Sequence, residues 1–184
     1  ASTIEPDSRA DREAMDRSGT LYLPEGPIPM LPDQALQRFG LGLSERSRAL
    51  SFRIELDDDA QIRSVDIHPS WVRVHRSSYE NAGPLMASGS LAQLAALATK
   101  RHAVRMSNGA VDIAIPEVRV WLDGGKPEIT PLADYPAAGM VREMMVLAGE
   151  AAARWAFDRG LAFPYYSQEA PGSSDGMPDG LAGE

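Results

Sequence analysis

Apolar side chains in this chain recur with two periods, and the period of two marks its predicted strands. Apolar and polar residues alternate over residues 50–56, which is typical of a half-buried strand. The acidic run at residues 57–60 predicts a turn, and residues 62–74 carry the return strand. Residues 118–122 are predicted to form one arm of a second hairpin, with its turn at the glycine-containing residues 123–126.

Spacings of three and four predict two amphipathic helices in the second half of the chain. One opens at Gly89 and Ser90 and ends at Asn108. The longest helix begins at Pro136, in the favoured first turn, and closes at Gly160. We expect its broad apolar face to be largely buried, and that face comprises Met140, Val141, Met144, Met145, Leu147, Ala148, Ala151, Ala152 and Trp155.

Shorter elements complete the predicted order. Ser8 is the expected N-cap of a helix that Gly19 ends, and residues 32–39 form another short helix. Val111, Ile113 and Ile115 alternate as a further strand. The fold class is therefore α+β, with mixed or antiparallel sheet hairpins packed with helices. Residues 172–184 have almost nothing to bury and predict a flexible tail.

Residues 19–32 read GTLYLPEGPIPMLP and hold four prolines around one tyrosine. Because each proline fixes φ and removes a backbone donor, we expect a stiff, extended connector. Tyr22 lies between Leu21 and Leu23, so it points to the face opposite both leucines. If the leucines face the core, Tyr22 faces a cleft or solvent.

Composition narrows the function classes. The chain has 184 residues, 43% of them hydrophobic, which is enough for one real core. It contains no cysteine, membrane-spanning run or signal-peptide pattern, so we expect a cytoplasmic protein with no membrane partner. A net charge of −8 argues against a free-standing nucleic-acid binder, because phosphate contacts need clustered lysine and arginine.

The proline-rich stretch resembles a known signature. The pattern G-T-x-Y-L-P-x-x-x-I-P-M-L-P is similar to a segment of the catalytic RNB domain in the ribonuclease II/R family of 3′→5′ exoribonucleases. Other motifs follow in the family's order. Ser78-Tyr79-Glu80 resembles T-Y-E/D, residues 109–112 resemble the end of R-G-A-L-D, and residues 141–148 resemble V-E-E-x-M-x-L-A-N. The resemblance implies that residues 1–171 are the central part of an RNB-type domain.

The departures from the family pattern are informative. The family's catalytic aspartates, D-x-x-x-x-x-D-x-D-D, lie before the stretch where this chain begins, and the acidic run at residues 57–60 has the wrong spacing to replace them. We therefore expect no catalytic and no metal-binding residue here. Mg²⁺ would be bound mainly by family aspartates outside this chain. Of the family's two helix carboxylates only Glu143 is kept, and Arg142 takes the other position.

Three residues are candidate RNA-binding positions. The resemblance implies that Tyr22 stacks on RNA near its 3′ end, and stacking of this kind tolerates any base. Ile113 occupies the position of a phenylalanine that stacks on RNA in several members, although core packing also fits it. Glu143 lies among apolar neighbours, where an acid needs a partner or a ligand, so either an RNA contact or an arginine salt bridge explains it. The scattered histidines indicate neither a zinc site nor a catalytic triad.

The resemblance implies a part of a processive exoribonuclease that hydrolyses single-stranded RNA to 5′-mononucleotides. Its partners would be single-stranded RNA and the remaining segments of the same RNB enzyme, and the chain alone is predicted to be inactive. An alternative is a catalytically inactive RNB-like module that binds RNA or protein. A third is an unrelated α+β scaffold.

Overall fold

The computed structural model of this chain describes residues 4–112 and 116–166, which form two compact units. Among the described residues, unit 1 comprises 4–50, 69–76 and 116–133. Unit 2 comprises 51–68, 77–112 and 134–166. No helix in these described ranges is long and apolar enough to cross a membrane.

Helices and short antiparallel hairpins alternate along the chain, which confirms the predicted α+β class. In order, the elements are α1 Arg9–Arg17, β1 Leu21–Leu23, β2 Gly26–Ile28, α2 Asp33–Phe39, β3 Ser47–Leu56, β4 Ile62–Val72, α3 Tyr79–Leu85, α4 Gly89–Ser107, β5 Val118–Asp123, β6 Lys126–Pro131 and α5 Pro136–Phe157. The strands pair as three two-stranded sheets, β1–β2, β3–β4 and β5–β6.

Local sequence signals set the element ends in unit 1. The Ser8 hydroxyl accepts the backbone N–H of Asp11 at 3.2 Å, so the predicted cap of α1 is confirmed. The helix ends at Arg17, and Ser18 rather than the predicted Gly19 terminates it, because Ser18 itself adopts the left-handed conformation with φ 55°. In the β5–β6 hairpin, the turn falls at the predicted glycines. Gly124 and Gly125 have positive φ and lie between the paired residues Asp123 and Lys126.

The core of unit 2 lies where α5 packs on the β3–β4 hairpin. Ile62, Leu147 and Ala151 are buried together, and the flanking apolar side chains are Ile54, Leu56, Val65 and Met144. The predicted half-buried strand is therefore correct only for the half of β3 beside this core. Leu50, in unit 1, is 59% exposed, and Phe52 is 37% exposed.

The predicted apolar face of α5 is too broad. Buried positions at Met140, Glu143, Leu147 and Ala151 recur every three or four residues and define one narrow stripe. Met145 is 70% exposed, because a residue two positions from Glu143 and Leu147 projects from the opposite side of the helix. Its assignment to the buried face was wrong.

Helix α3 has no counterpart in the predicted elements. Its N-cap is Ser78, whose hydroxyl accepts the N–H of Asn81 at 3.1 Å. Gly83 and Pro84 both lie inside this seven-residue helix, and both residue types discourage a helix prediction. The predicted strand over residues 111–115 was wrong at Val111, which lies outside any strand, and Ile113 to Ile115 lie outside the described residues.

Candidate functional site

Tyr22 is presented by a short hairpin in unit 1. It is the central residue of β1 and is 84% exposed, whereas Leu21 and Leu23 on the other face are about half covered, at 48% and 45% exposure. Tyr22 pairs with Pro27 of β2. Directly opposed residues of an antiparallel pair share a face, with their Cβ atoms about 4.5–5.5 Å apart. The proline therefore flanks a tyrosine ring that faces solvent.

The segment around Tyr22 is a tight hairpin rather than the extended connector that its prolines predicted. Leu23 pairs with Gly26, which leaves Pro24 and Glu25 as the turn. Gly26 has φ +140°, a conformation that residues with a Cβ rarely adopt, so this glycine permits the chain to reverse. Proline at position 27 is compatible with a two-stranded sheet because both strands are edges.

Glu143 is the central residue of a charged cluster in unit 2. Its side chain is 5% exposed and accepts two hydrogen bonds from Arg105 of α4, from Nε to Oε2 at 3.0 Å and from Nη2 to Oε1 at 2.7 Å. His102, one turn earlier on α4, places Nδ1 3.2 Å from Oε1 of Glu143. Its Nε2 lies 3.2 Å from Oδ2 of Asp112. The salt bridge to an arginine, expected as one explanation of Glu143, is thus present.

The Arg105–Glu143 pair is held in its charged form by mutual hydrogen bonding. The hydrogen bond from Arg105 lowers the pKa of Glu143, although burial of the carboxyl opposes this effect, and the bond from His102 adds to the lowering. The same bond raises the pKa of Arg105. Glu143 is therefore ionised near neutral pH, and its burial is compensated by a two-point contact with the guanidinium group.

An open cavity of about 300 Å³ borders this cluster. Small and apolar residues form most of its wall, and the polar side chains around it are Thr99, His102, Asp112, Arg142 and Glu143. Because two oxygens of Glu143 already accept from Arg105 and His102, the carboxylate has little remaining capacity for a ligand. Glu143 is better placed to orient His102, whose side chain is 35% exposed, than to bind a ligand alone.

Sequence reasoning missed the partners of Glu143. His102 and Arg105 were not connected to it, because they precede it by 41 and 38 residues. One local signal was present, since residues three apart on a helix share a face and these two lie within α4. Ile113, the third candidate, lies outside the described residues, so its RNA contact stays a prediction.

The carboxylates of the described residues do not fit a Mg²⁺ site. In the described part of the chain no group of three or more His, Cys, Asp or Glu is arranged to hold a metal ion. The acidic run at residues 57–60 is a hairpin turn, as predicted. Asp57 Oδ1 accepts the N–H groups of Asp59 and Gln61, both at 2.9 Å, so this carboxylate caps the turn.

The fold of this chain is shared with solved structures of the ribonuclease R kind. A Mycoplasma genitalium RNase R in complex with ribose-methylated single-stranded RNA matches with a TM-score of 0.76 and 24% identity, over 90% of this chain and 28% of that chain. Yeast Ssd1, described as a pseudonuclease, matches with a TM-score of 0.63 and 20% identity, over 86% of this chain and 21% of that chain.

The chain belongs to the RNB domain family, whose sequence model matches residues 1–175. An uncharacterized ribonuclease of Synechocystis is 34% identical over 91% of this chain. The chain spans about a quarter of the length of that relative, at 26%. The resemblance to the ribonuclease II/R family is thereby confirmed.

Proposed function

We propose that this chain is the central part of the catalytic domain of a 3′→5′ exoribonuclease that degrades single-stranded RNA processively to 5′-mononucleotides. The observation that carries the proposal is the exposed Tyr22 hairpin, within residues that match the RNB domain. The RNase R structure with bound single-stranded RNA supports RNA as the substrate class. The partners of this chain are RNA and the remaining segments of the same enzyme.

Tyr22 supplies a stacking surface for the 3′-terminal region of the RNA. A ring that is 84% exposed is open to stacking, and every base has a flat face that fits it. The adjacent Pro27 and the turn at Pro24 restrict the hairpin, so stacking needs little additional ordering. Tyr22 therefore contributes binding, without selecting a base.

The cavity beside Glu143 is the proposed second contact region. Glu143 and Arg105 fix each other, and Glu143 in turn orients His102 at the cavity. Both ring nitrogens of His102 already lie 3.2 Å from carboxylate oxygens of Glu143 and Asp112, so the guanidinium of Arg142 is the group at this cavity that hydrogen-bonds to ribose and phosphate oxygens. In this proposal Glu143 contributes to RNA binding indirectly, because it fixes His102 in the wall of the cavity. Ile113, whose family counterpart stacks on RNA, follows Asp112 of this region.

Hydrolysis requires water to form a bond to phosphorus while the P–O3′ bond breaks, which releases a 5′-mononucleotide and leaves a shortened RNA with a 3′-hydroxyl. The described carboxylates do not fit a metal site, so this proposal assigns Mg²⁺ binding to aspartates outside this chain. This chain then binds and positions the RNA and is inactive alone. We further place the enzyme in the cytoplasm.

The test compares the 184-residue chain with the polypeptide that includes its native flanking segments, using end-labelled single-stranded RNA and Mg²⁺. We expect mononucleotide release only from the longer polypeptide. Release by the purified chain alone, with contaminating nuclease excluded, would overturn the assignment of catalysis to other segments. RNA binding without cleavage by the longer polypeptide would favour an inactive RNA-binding module, a role suggested by the fold shared with a pseudonuclease.

A further inference from the structure

We infer that unit 1 carries a second site for single-stranded RNA, formed by Arg46, Arg48, Trp71, Arg73 and Arg76, and this inference rests on the proposed exoribonuclease function. We call these five residues the Arg48–Trp71 patch. All five side chains are exposed. They come from two segments, the start of β3 and the end of β4, that are separated by more than twenty residues in the sequence.

The centre of the patch is a cation–aromatic pair. The guanidinium carbon of Arg48 lies 5.2 Å from the centre of the Trp71 ring, and Trp71 is 58% exposed. Of the three arginine–aromatic pairs in the described residues, only this one has an exposed ring. An exposed ring beside an arginine is the combination with which proteins stack on a base and neutralise the adjoining phosphate.

Two further contacts involve Arg73 and Arg76, which follow Trp71 in the same segment. Arg73 Nη2 bonds to Oε1 of Glu45 at 3.1 Å, and both side chains are largely exposed, at 68% and 81%. The stem of Arg76 lies over Gly42, where an added Cβ would come within 3.0 Å of Arg76 Cγ. The Gly42 N–H in turn donates to Ser47 Oγ at 3.1 Å, at the start of β3.

The charge of the patch is opposite to that of the chain. Residues 44–50 and 69–76 contain four arginines and one glutamate, whereas the whole chain has a net charge of −8. Within the described residues, no carboxylate pairs with Arg46, Arg48 or Arg76. A local positive surface with an exposed ring fits a single strand, which offers phosphates and unstacked bases together.

The test measures binding of a fluorescently labelled oligouridylate to the full chain by anisotropy across a range of salt concentrations. Trp71→Ala should weaken binding about five- to 150-fold, the range reported for loss of one base–aromatic stack, whereas Trp71→Phe should retain most of it. Arg48→Gln should lower the slope of log affinity against log salt by about 0.7, the value for one phosphate contact on a single strand.

Arg53 and Glu55 provide a matched control. They form an exposed ion pair in unit 2 whose N–O distance of 3.1 Å equals that of the Arg73–Glu45 pair. Arg53→Gln makes the same charge change as Arg48→Gln and should leave affinity and salt slope unchanged. Glu45→Gln should tighten RNA binding, since it removes a negative charge and releases Arg73. Glu55→Gln, the corresponding change in the control pair, should not.

Equal effects of Arg48→Gln and Arg53→Gln would overturn the patch as a site, because binding would then follow net charge alone. If neither Trp71→Ala nor Glu45→Gln changes the RNA affinity, the patch is also overturned as an RNA site, and a protein partner for this surface is favoured.

Failure of this inference can be distinguished from failure of the proposed function. An extended polypeptide that binds RNA through the patch but never cleaves it contradicts only the exoribonuclease assignment. An active enzyme whose patch variants bind normally contradicts only the patch.

Discussion

The Arg105–Glu143 pair of unit 2 and the Arg73–Glu45 pair of unit 1 join the same two side-chain types in opposite environments. Glu143 is 5% exposed and accepts two hydrogen bonds from its arginine. Glu45 is 81% exposed and accepts one. A buried two-point pair is costly to break, whereas an exposed pair contributes about 0–1 kcal/mol. The Arg105–Glu143 pair is therefore suited to stabilise the fold. In the Arg73–Glu45 pair, the arginine can exchange its carboxylate partner for another anion.

Exposed aromatic rings occur in both units, and the two that are proposed to contact RNA lie in unit 1. Tyr22 and Trp71 of unit 1 are exposed and lack an apolar cover, although each lies beside a residue that restricts or complements it. The interior of unit 2 is built from aliphatic side chains around Leu147 and Ala151. In this account RNA binding and stability depend on different residues, so substitutions should separate them.

The largest effect is expected from Glu143→Ala, which leaves Arg105 and His102 without their shared acceptor. We expect a loss of about 3 kcal/mol in the free energy of unfolding, at the low end for a buried pair because Arg105 is 27% exposed. Urea unfolding measures it. Glu45→Ala is the matched control and should change stability by less than about 1 kcal/mol. Equal losses for the two variants would contradict the contrast between the pairs.

A pH dependence of stability should follow from the lowered pKa of Glu143. A carboxyl whose pKa is lower in the folded state contributes stability above its unfolded pKa, about 4.3 for glutamate, and loses that contribution as the pH falls through the folded value. The stability difference between wild type and Glu143→Gln should therefore shrink on acidification from neutral pH. A difference that stays constant or grows as the pH falls would show that Glu143 is not stabilised in its charged form.

A smaller effect is expected at the acidic turn. Asp57→Ala removes the acceptor of two backbone N–H groups and should cost about 1–2 kcal/mol, at roughly 1 kcal/mol for each hydrogen bond. Asp58→Ala removes an exposed carboxylate that makes no side-chain bond in the described structure, so its effect should lie within about 0.5 kcal/mol. Thermal unfolding of the two variants measures the difference in their stability. Equal losses would mean that Asp57 does not cap the turn.

Local elements were predictable from the sequence because their signals lie within a few residues. Pro136 marks the first turn of α5, and the glycines at 124 and 125 mark the second hairpin. The partners of Glu143 were not predictable, since Arg105 lies on another helix and only packing brings the two together. The Arg48–Trp71 patch was missed for the same reason, and the net charge of −8 concealed it.

The fold of the proline-rich stretch was mispredicted, although Tyr22 does lie on a more exposed face than the leucines on either side of it. Successive side chains of a strand point to opposite faces, so three residues of β1 were enough to predict that Tyr22 lies on the other face from Leu21 and Leu23. Whether the chain then extends or reverses depends on Gly26, whose φ of +140° allows the hairpin. Four prolines in one segment outweighed that single glycine in the prediction.

The most direct measurement is the end-product length of the complete enzyme carrying Tyr22→Ala. Stability should change by no more than about 0.5 kcal/mol, because the side chain is 84% exposed. Loss of one base stack, about 1–3 kcal/mol, should weaken the hold on short RNAs far more than on long ones, which keep their other contacts.

Degradation by Tyr22→Ala should therefore stall at a longer product while initial cleavage of long RNA changes little, and Tyr22→Phe, which keeps the ring, should match wild type. An unchanged end-product length in both variants would contradict the role of Tyr22 in binding the 3′ end. Equal damage from Tyr22→Phe and Tyr22→Ala would contradict stacking as the mechanism.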